Sequence, residues 1–148
     1  MAGAVSRVHG VVLAFDFGLR RIGIATANRL TRSATPLTTL HVGAGVPWED
    51  LDRIVADWRP QQLLVGMPAA GGPASIAGHA AAFAAALEKR YGLGVATVDE
   101  SLTSHAAQAA LREARRAGLA RRAGAGRIDR HAACLIAEQW MNELRNGD

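Results

Sequence analysis

The chain has 148 residues, 49% of them hydrophobic and 20% charged, which predicts a single soluble globular domain over residues 1–148 and leaves no room for a two-domain enzyme. No uninterrupted apolar span of about 18 residues occurs, so neither a membrane-spanning helix nor a membrane partner is expected, and the apolar content is too high for a disordered chain. The net charge is only +4, yet the surplus is local: Arg112, Arg115, Arg116, Arg121, Arg122, Arg127 and Arg130 face only Glu113 and Asp129 within residues 112–130.

In chain order, residues 11–17 form a continuous apolar run that predicts a central strand buried on both faces. Gly18 ends it. Ile22–Thr26 predicts an antiparallel hairpin partner, and residues 36–42 a third strand. Leu51, Ile54, Val55 and Trp58 recur at helical spacing, so a helix is expected over 48–58 and is closed by Pro60. Residues 62–67 predict a fourth strand, 68–73 a Gly-rich loop, and 75–91 an Ala-rich helix. A fifth strand is expected from Val95 to Asp99 or Glu100.

A helix beginning near Ser101 or Thr103 would carry Arg112, Arg115 and Arg116 on one face, at i, i+3 and i+4. A basic loop over 117–126 would follow. The last helix, over about 129–145, is expected to bury Ala132, Leu135, Ile136 and Trp140. Three strands in a row followed by alternating helices and strands predict an α/β mixed sheet, antiparallel at first and parallel thereafter, flanked by helices.

Ligand sites in such sheets lie outside the C-terminal ends of the parallel strands, where the acidic residues fall. Asp16 is the sharpest anomaly, because a carboxylate in an apolar central strand is costly unless a cation or hydrogen bonds compensate it. A salt bridge to Arg20 or Arg21, or a turn with Gly18, would also explain it. Asp99 and Glu100 follow the fifth strand, and only one of them can share Asp16's side of the sheet, since strand side chains alternate. Helix capping is their alternative role, and for Asp129, at the start of the last helix, it is the stronger one. Converging at one end of the sheet, these acids would instead bind Mg2+ or Mn2+, with the Arg-rich segment holding a phosphate backbone beside them.

Other chemistries find less support. The loop over 68–73 matches neither a phosphate-loop nor a dinucleotide-binding pattern. No G-x-S-x-G elbow is present, and His9, His41, His79, His105 and His131 form no H-x-x-x-H pair. Cys134 is the single cysteine; it is expected to be a small buried hydrophobe in a reducing, cytoplasmic setting, and the short N-terminal apolar run is wrongly flanked for a signal peptide.

The blocks FDFGLRRIGIA (15–25), ATPLTTL (34–40), LLVGMP (63–68), VDESLTS (98–104) and RIDRHAA (127–133) resemble, in order and spacing, the YqgF family of pre-16S rRNA nucleases, also described as Holliday-junction-resolvase-like. The similarity spans about residues 11–141. It implies a ribonuclease-H-like fold and a metal-dependent endonuclease with Asp16, Glu100 and Asp129 as catalytic, metal-binding acids and Asp99 as a further metal ligand. Ser101 stands where the family usually has Arg, which leaves phosphate contacts to Arg20, Arg21 or Arg112, and beyond them to Arg115, Arg116, Arg121, Arg122 and Arg127. Arg130 and His131 occupy positions where small or polar residues are expected.

The function expected is divalent-metal-dependent cleavage at the 5′ end of pre-16S rRNA. A resolvase acting on branched DNA, which would call for a homodimer, and a non-catalytic nucleic-acid-binding factor are the competing readings. An actin-like ATPase is disfavoured because such folds enclose nucleotide between two domains.

Overall fold

The computed structural model describes residues 10–67, 74–99 and 130–143. The apolar run at the start folds into strand β1 (Val11–Phe17), in which Val11–Phe15 are all buried, as a strand covered on both faces requires. It pairs antiparallel with β2 (Arg21–Asn28), which pairs antiparallel with β3 (Ser33–His41). On its other side β1 runs parallel to β4 (Gln62–Met67), which runs parallel to β5 (Gly94–Asp99). The sheet order is β3-β2-β1-β4-β5, the mixed arrangement expected, with β1 at the centre.

The period-2 alternation of β1 supplies two cores. Leu13 and Phe15, with Ile22, Ile24, Leu63 and Val65, face one side, where they pack on Leu51 of α1 (Trp48–Trp58) and on Phe83, Ala84 and Leu87 of α2 (Ala74–Tyr91). Val12 and Ala14, with Ala27, Leu64 and Val98, face the other side against Ile136, Ala137, Trp140 and Met141 of α3 (residues 130–143). Among the described residues no helix is long and apolar enough to cross a membrane.

The bounds of α1 are those expected. Glu49 and Asp50 lie in its first turn, where the helix dipole favours acids, and Arg59 ends it in the left-handed region (φ 46°), its N–H donating to the Val55 carbonyl at 2.9 Å. Two expectations need correction. β3 begins at Ser33 rather than Pro36, because Pro36 pairs with Ala25 and Thr38 with Ile24, so that Leu37 bulges out and the ladder continues beyond it. The buried stripe of α3 comprises Ala133, Cys134, Ile136, Ala137, Trp140 and Met141, while Ala132 and Leu135 are only half-buried. The sheet explains the shift: its surface there is Ala14, Ala25 and Ala27, onto which the small side chains of Ala133 and Ala137 allow close approach.

Cys134 is buried against Ala25 and Ala34, and burial, helped by the Glu138 charge, pushes its thiol up to about 11. It is the inert hydrophobe that was expected.

Candidate active site

Asp16 lies near the C-terminal end of β1, and its neighbours fix which side of the sheet it serves. Val12 and Ala14 pack beneath α3 while Leu13, Phe15 and Phe17 pack towards α1 and α2, so alternation assigns Asp16 to the α3 face. Its cross-strand partner on β2 is Gly23. On β4 the last paired residue is Val65, opposite Phe15, and the next is Gly66. Asp16 therefore has a residue without a side chain on each flank, and below it only Ala14 and its partner Ala25.

The row across the sheet at this level reads Thr39, Gly23, Asp16, Gly66 and Val98, through the pairs Gly23–Thr39 and Gly66–Val98. A central acid thus rises from a floor of glycine and alanine. Gly23 and Gly66 are themselves buried, whereas Asp16 is half-buried, so the acid keeps part of its surface at a level where its neighbours are covered.

The turn that follows is equally constrained. A Cβ on Gly18 would lie 2.7 Å from the Arg21 carbonyl oxygen, so the tight β1–β2 connection needs glycine two residues after the acid. Arg21 opens β2 on the Asp16 face, as a diagonal neighbour for which Cα separations of roughly 7–8 Å are usual. Arg20 is exposed in the connection, and its carbonyl accepts from the Val42 N–H at 2.8 Å.

α3 lies over this face of the sheet. Ala133 and Cys134 pack on Ala25, whereas Trp140 and Met141 lie towards Val12 and Ala27, at the opposite end of the strand. Cations attend that far end: Arg29 stacks 5.4 Å above the Trp140 ring, and Arg32 Nη2 donates to the Met141 carbonyl at 2.9 Å. The near end carries Arg130, whose Nη1 donates to Thr39 Oγ1 at 3.4 Å.

Of the other expected acids, Asp99 falls on the opposite face. Val95 packs in the α1/α2 core and Ala96 and Val98 in the α3 core, so Asp99, paired with Met67, faces away from Asp16. Its backbone carbonyl accepts from Gln139 Nε2 of α3 at 3.0 Å. Glu100, Ser101, Asp129, Arg112, Arg115, Arg116, Arg121, Arg122 and Arg127 lie outside the described residues. Among the described residues no three His, Cys, Asp or Glu side chains converge. The sequence reading missed the places of Gly23, Gly66 and Thr39: two glycines within apolar strands were the visible signal, but only the register shows that they flank one acid.

Residues 10–143 match the family model described as RuvX, Holliday junction resolvase. The chain belongs to the RuvX family. This is the relationship indicated by the sequence blocks under the name YqgF. Similar relatives carry the name "Putative pre-16S rRNA nuclease": one from Legionella pneumophila is 41% identical over 138 residues, covering 91% of this chain and 97% of its own length, and one from Dechloromonas aromatica is 41% identical over 135 residues, covering 89% and 90%.

Among solved structures, Thermus thermophilus RuvC in complex with a Holliday junction substrate superposes with a TM-score of 0.55 at 18% identity, over 93% of this chain and 96% of that one. The fowlpox virus resolvase bound to Holliday junction DNA gives 0.55 at 9% identity, over 90% and 98%. At such identities the likeness concerns the fold. It agrees with the ribonuclease-H-like sheet that the sequence blocks imply for this RuvX-family chain.

Proposed function

We propose that this protein is an endonuclease that hydrolyses nucleic-acid phosphodiester bonds at the Asp16 face of the sheet and processes the 5′ end of pre-16S rRNA. The observation that carries the proposal is the placement of one carboxylate between two glycines, at the C-terminal end of the central strand, with arginine alongside. Membership of the RuvX family and the nuclease name carried by relatives at 41% identity support the reaction class and the RNA substrate.

Carboxylate oxygens at the C-terminal end of a central strand suit a hard divalent ion, Mg2+ or Mn2+. Asp16, Glu100 and Asp129 would hold it. Glu100 is favoured over Asp99 because Asp99 faces the other side of the sheet. When bound, such an ion supplies positive charge at the phosphate and an acidified water.

The remaining work falls to the chain itself. Arg21, on the same face, neutralises phosphate charge, and Arg20, Arg112, Arg115, Arg116, Arg121, Arg122 and Arg127 extend that contact sideways. Hydrolysis forms a bond from water oxygen to phosphorus and breaks the bond to one ester oxygen, which leaves with a proton.

Asp16→Asn keeps the shape of the side chain and removes its charge. It is expected to lower cleavage of a pre-16S rRNA fragment by about 10³-fold or more while leaving salt-sensitive RNA binding intact. Cleavage by Asp16→Asn at the wild-type rate would overturn the assignment. The family description and the junction DNA bound by both structural neighbours favour a second substrate, a four-way DNA junction cut by a two-fold dimer. Faster cleavage of a synthetic junction than of the RNA would select it.

A further inference from the structure

We infer that His41, the cross-strand partner of Arg21 at the rim of the site, holds a phosphate of the bound RNA that flanks the scissile one. The inference rests on the nuclease reading above. Its first support is position. Arg21 opens β2 directly opposite His41, the last residue of β3, and the Val42 N–H donates to the Arg20 carbonyl at 2.8 Å. That bond makes Arg21–His41 a non-hydrogen-bonded pair, the class in which Cα atoms lie about 4.5 Å apart and side chains come closest. Leu40 and Val42 pack in the α1/α2 core, so alternation puts His41 on the other face, with Arg21, Thr39 and Asp16.

The second support is exposure. The row of Asp16 is covered at Gly23 and Gly66, whereas at the next level towards the strand end Leu19, Arg20 and His41 are exposed. RNA therefore approaches Asp16 from this open end, past Arg20, Arg21 and His41, and not across the buried glycines. His41 stands about 12 Å from Asp16, two strand spacings across and two residues along. One phosphate cannot touch both, and Arg21 lies between them.

The third support is chemistry. Among the described residues His41 makes no hydrogen bond or ion pair. The charged groups around it are Arg21 beside it, Arg20 in the adjacent connection, Arg130 through Thr39, and Asp16 beyond Arg21. A protonated imidazole opposite a guanidinium is a like-charge pair, unfavourable until an anion spans it. A phosphate oxygen does so with charge-assisted bonds to both.

The test is binding of a fluorescein-labelled single-stranded RNA, in EDTA so that no cleavage occurs, at about pH 6 and about pH 8, across which histidine changes charge. Wild type should bind more tightly at the lower pH. His41→Ala should lose about three- to tenfold in affinity there and lower the slope of log K against log salt by about 0.7, the value for one phosphate contact on a single strand. His41→Lys, permanently charged, should bind more tightly than wild type at the higher pH. His79→Ala, exposed on α2 across the sheet, should behave as wild type.

A His41→Ala affinity and slope equal to those of wild type at the lower pH, or a His41→Lys affinity no better than that of His41→Ala at the higher, overturns the inference and leaves His41 a solvated edge residue. Asp16→Asn, assayed for cleavage in parallel, separates the two readings. If it is inactive while His41→Ala binds as wild type does, only the His41 role falls; if it cleaves normally, the nuclease site itself is wrong.

Discussion

Gly18 shows how a single residue couples the hairpin to the acid. Any side chain there brings a Cβ to 2.7 Å from the Arg21 carbonyl oxygen, and that atom is backbone, so the β1–β2 connection must open to accept it. Gly18→Ala should therefore destabilise the protein by about 1–3 kcal/mol in a denaturant melt, and cleavage should fall further than stability does, because the Asp16–Gly23 pair lies within the displaced hairpin. An unchanged melt would show that the turn is more yielding than its geometry implies. The acid-x-glycine pattern itself was legible in the sequence: a carboxylate ending an apolar strand, then a residue suited to a tight turn. The neighbours of Asp16 were not. Gly23, Thr39 and Gly66 reach it through pairings between strands distant in the chain, and no local pattern encodes that register.

Individual elements were legible where one local signal sets the ends. α1 is bounded as expected because acids mark its first turn and Pro60 follows its last. β3 was read three residues short, since Ser33, Ala34 and Thr35 lack apolar alternation and the bulge at Leu37 breaks the period. The stripe of α3 was read correctly at Ile136 and Trp140 and missed at Ala132 and Leu135, because a run of alanines does not distinguish one helix face from the next; the alanine surface of the sheet decides it.

Between α1 and α2 the contacts are polar and aromatic. Asp52 accepts from Arg90 Nε at 2.8 Å, from Arg90 Nη2 at 2.7 Å and from the Tyr91 hydroxyl at 2.7 Å, and the Arg90 guanidinium stacks 5.0 Å from the Trp48 ring. Hydrogen bonding to Arg90, then to Tyr91, lowers the Asp52 carboxyl from 3.8 to about 2, while burial and the Asp52 charge push the Tyr91 phenol up. A depressed carboxylate stabilises the fold above its unfolded value and loses that contribution as pH falls through the folded one. Asp52→Asn should thus lower Tm at neutral pH, and the gap from wild type should narrow as pH drops from 3.8 towards about 2. Because the pair is exposed, added salt should narrow it as well. A gap independent of pH would assign the cluster's role to packing of Tyr91 and Trp48.

At the scale of the molecule, the mixed sheet, its flanking helices and the family were all within reach of the sequence, because a continuous apolar run, its hairpin partners and five spaced blocks each constrain topology. Of the proposed site, the place of Asp16 at the end of the central strand was legible, and the geometry around it much less so. Alternation along β5 bears on one ambiguity the sequence left open: Asp99 falls on the α1 and α2 face, away from Asp16, which is why the proposal takes Glu100 as the partner acid. The central claim is that carboxylates far apart in the chain bind one divalent centre on the α3 face. Calorimetric titration with Mn2+ tests it most directly. Asp16→Asn, Glu100→Gln and Asp129→Asn should each weaken Mn2+ binding by about tenfold or more, whereas Asp99→Asn should bind as wild type does. Wild-type affinity in Asp16→Asn, or a loss in Asp99→Asn as large as in the other three, would contradict the account.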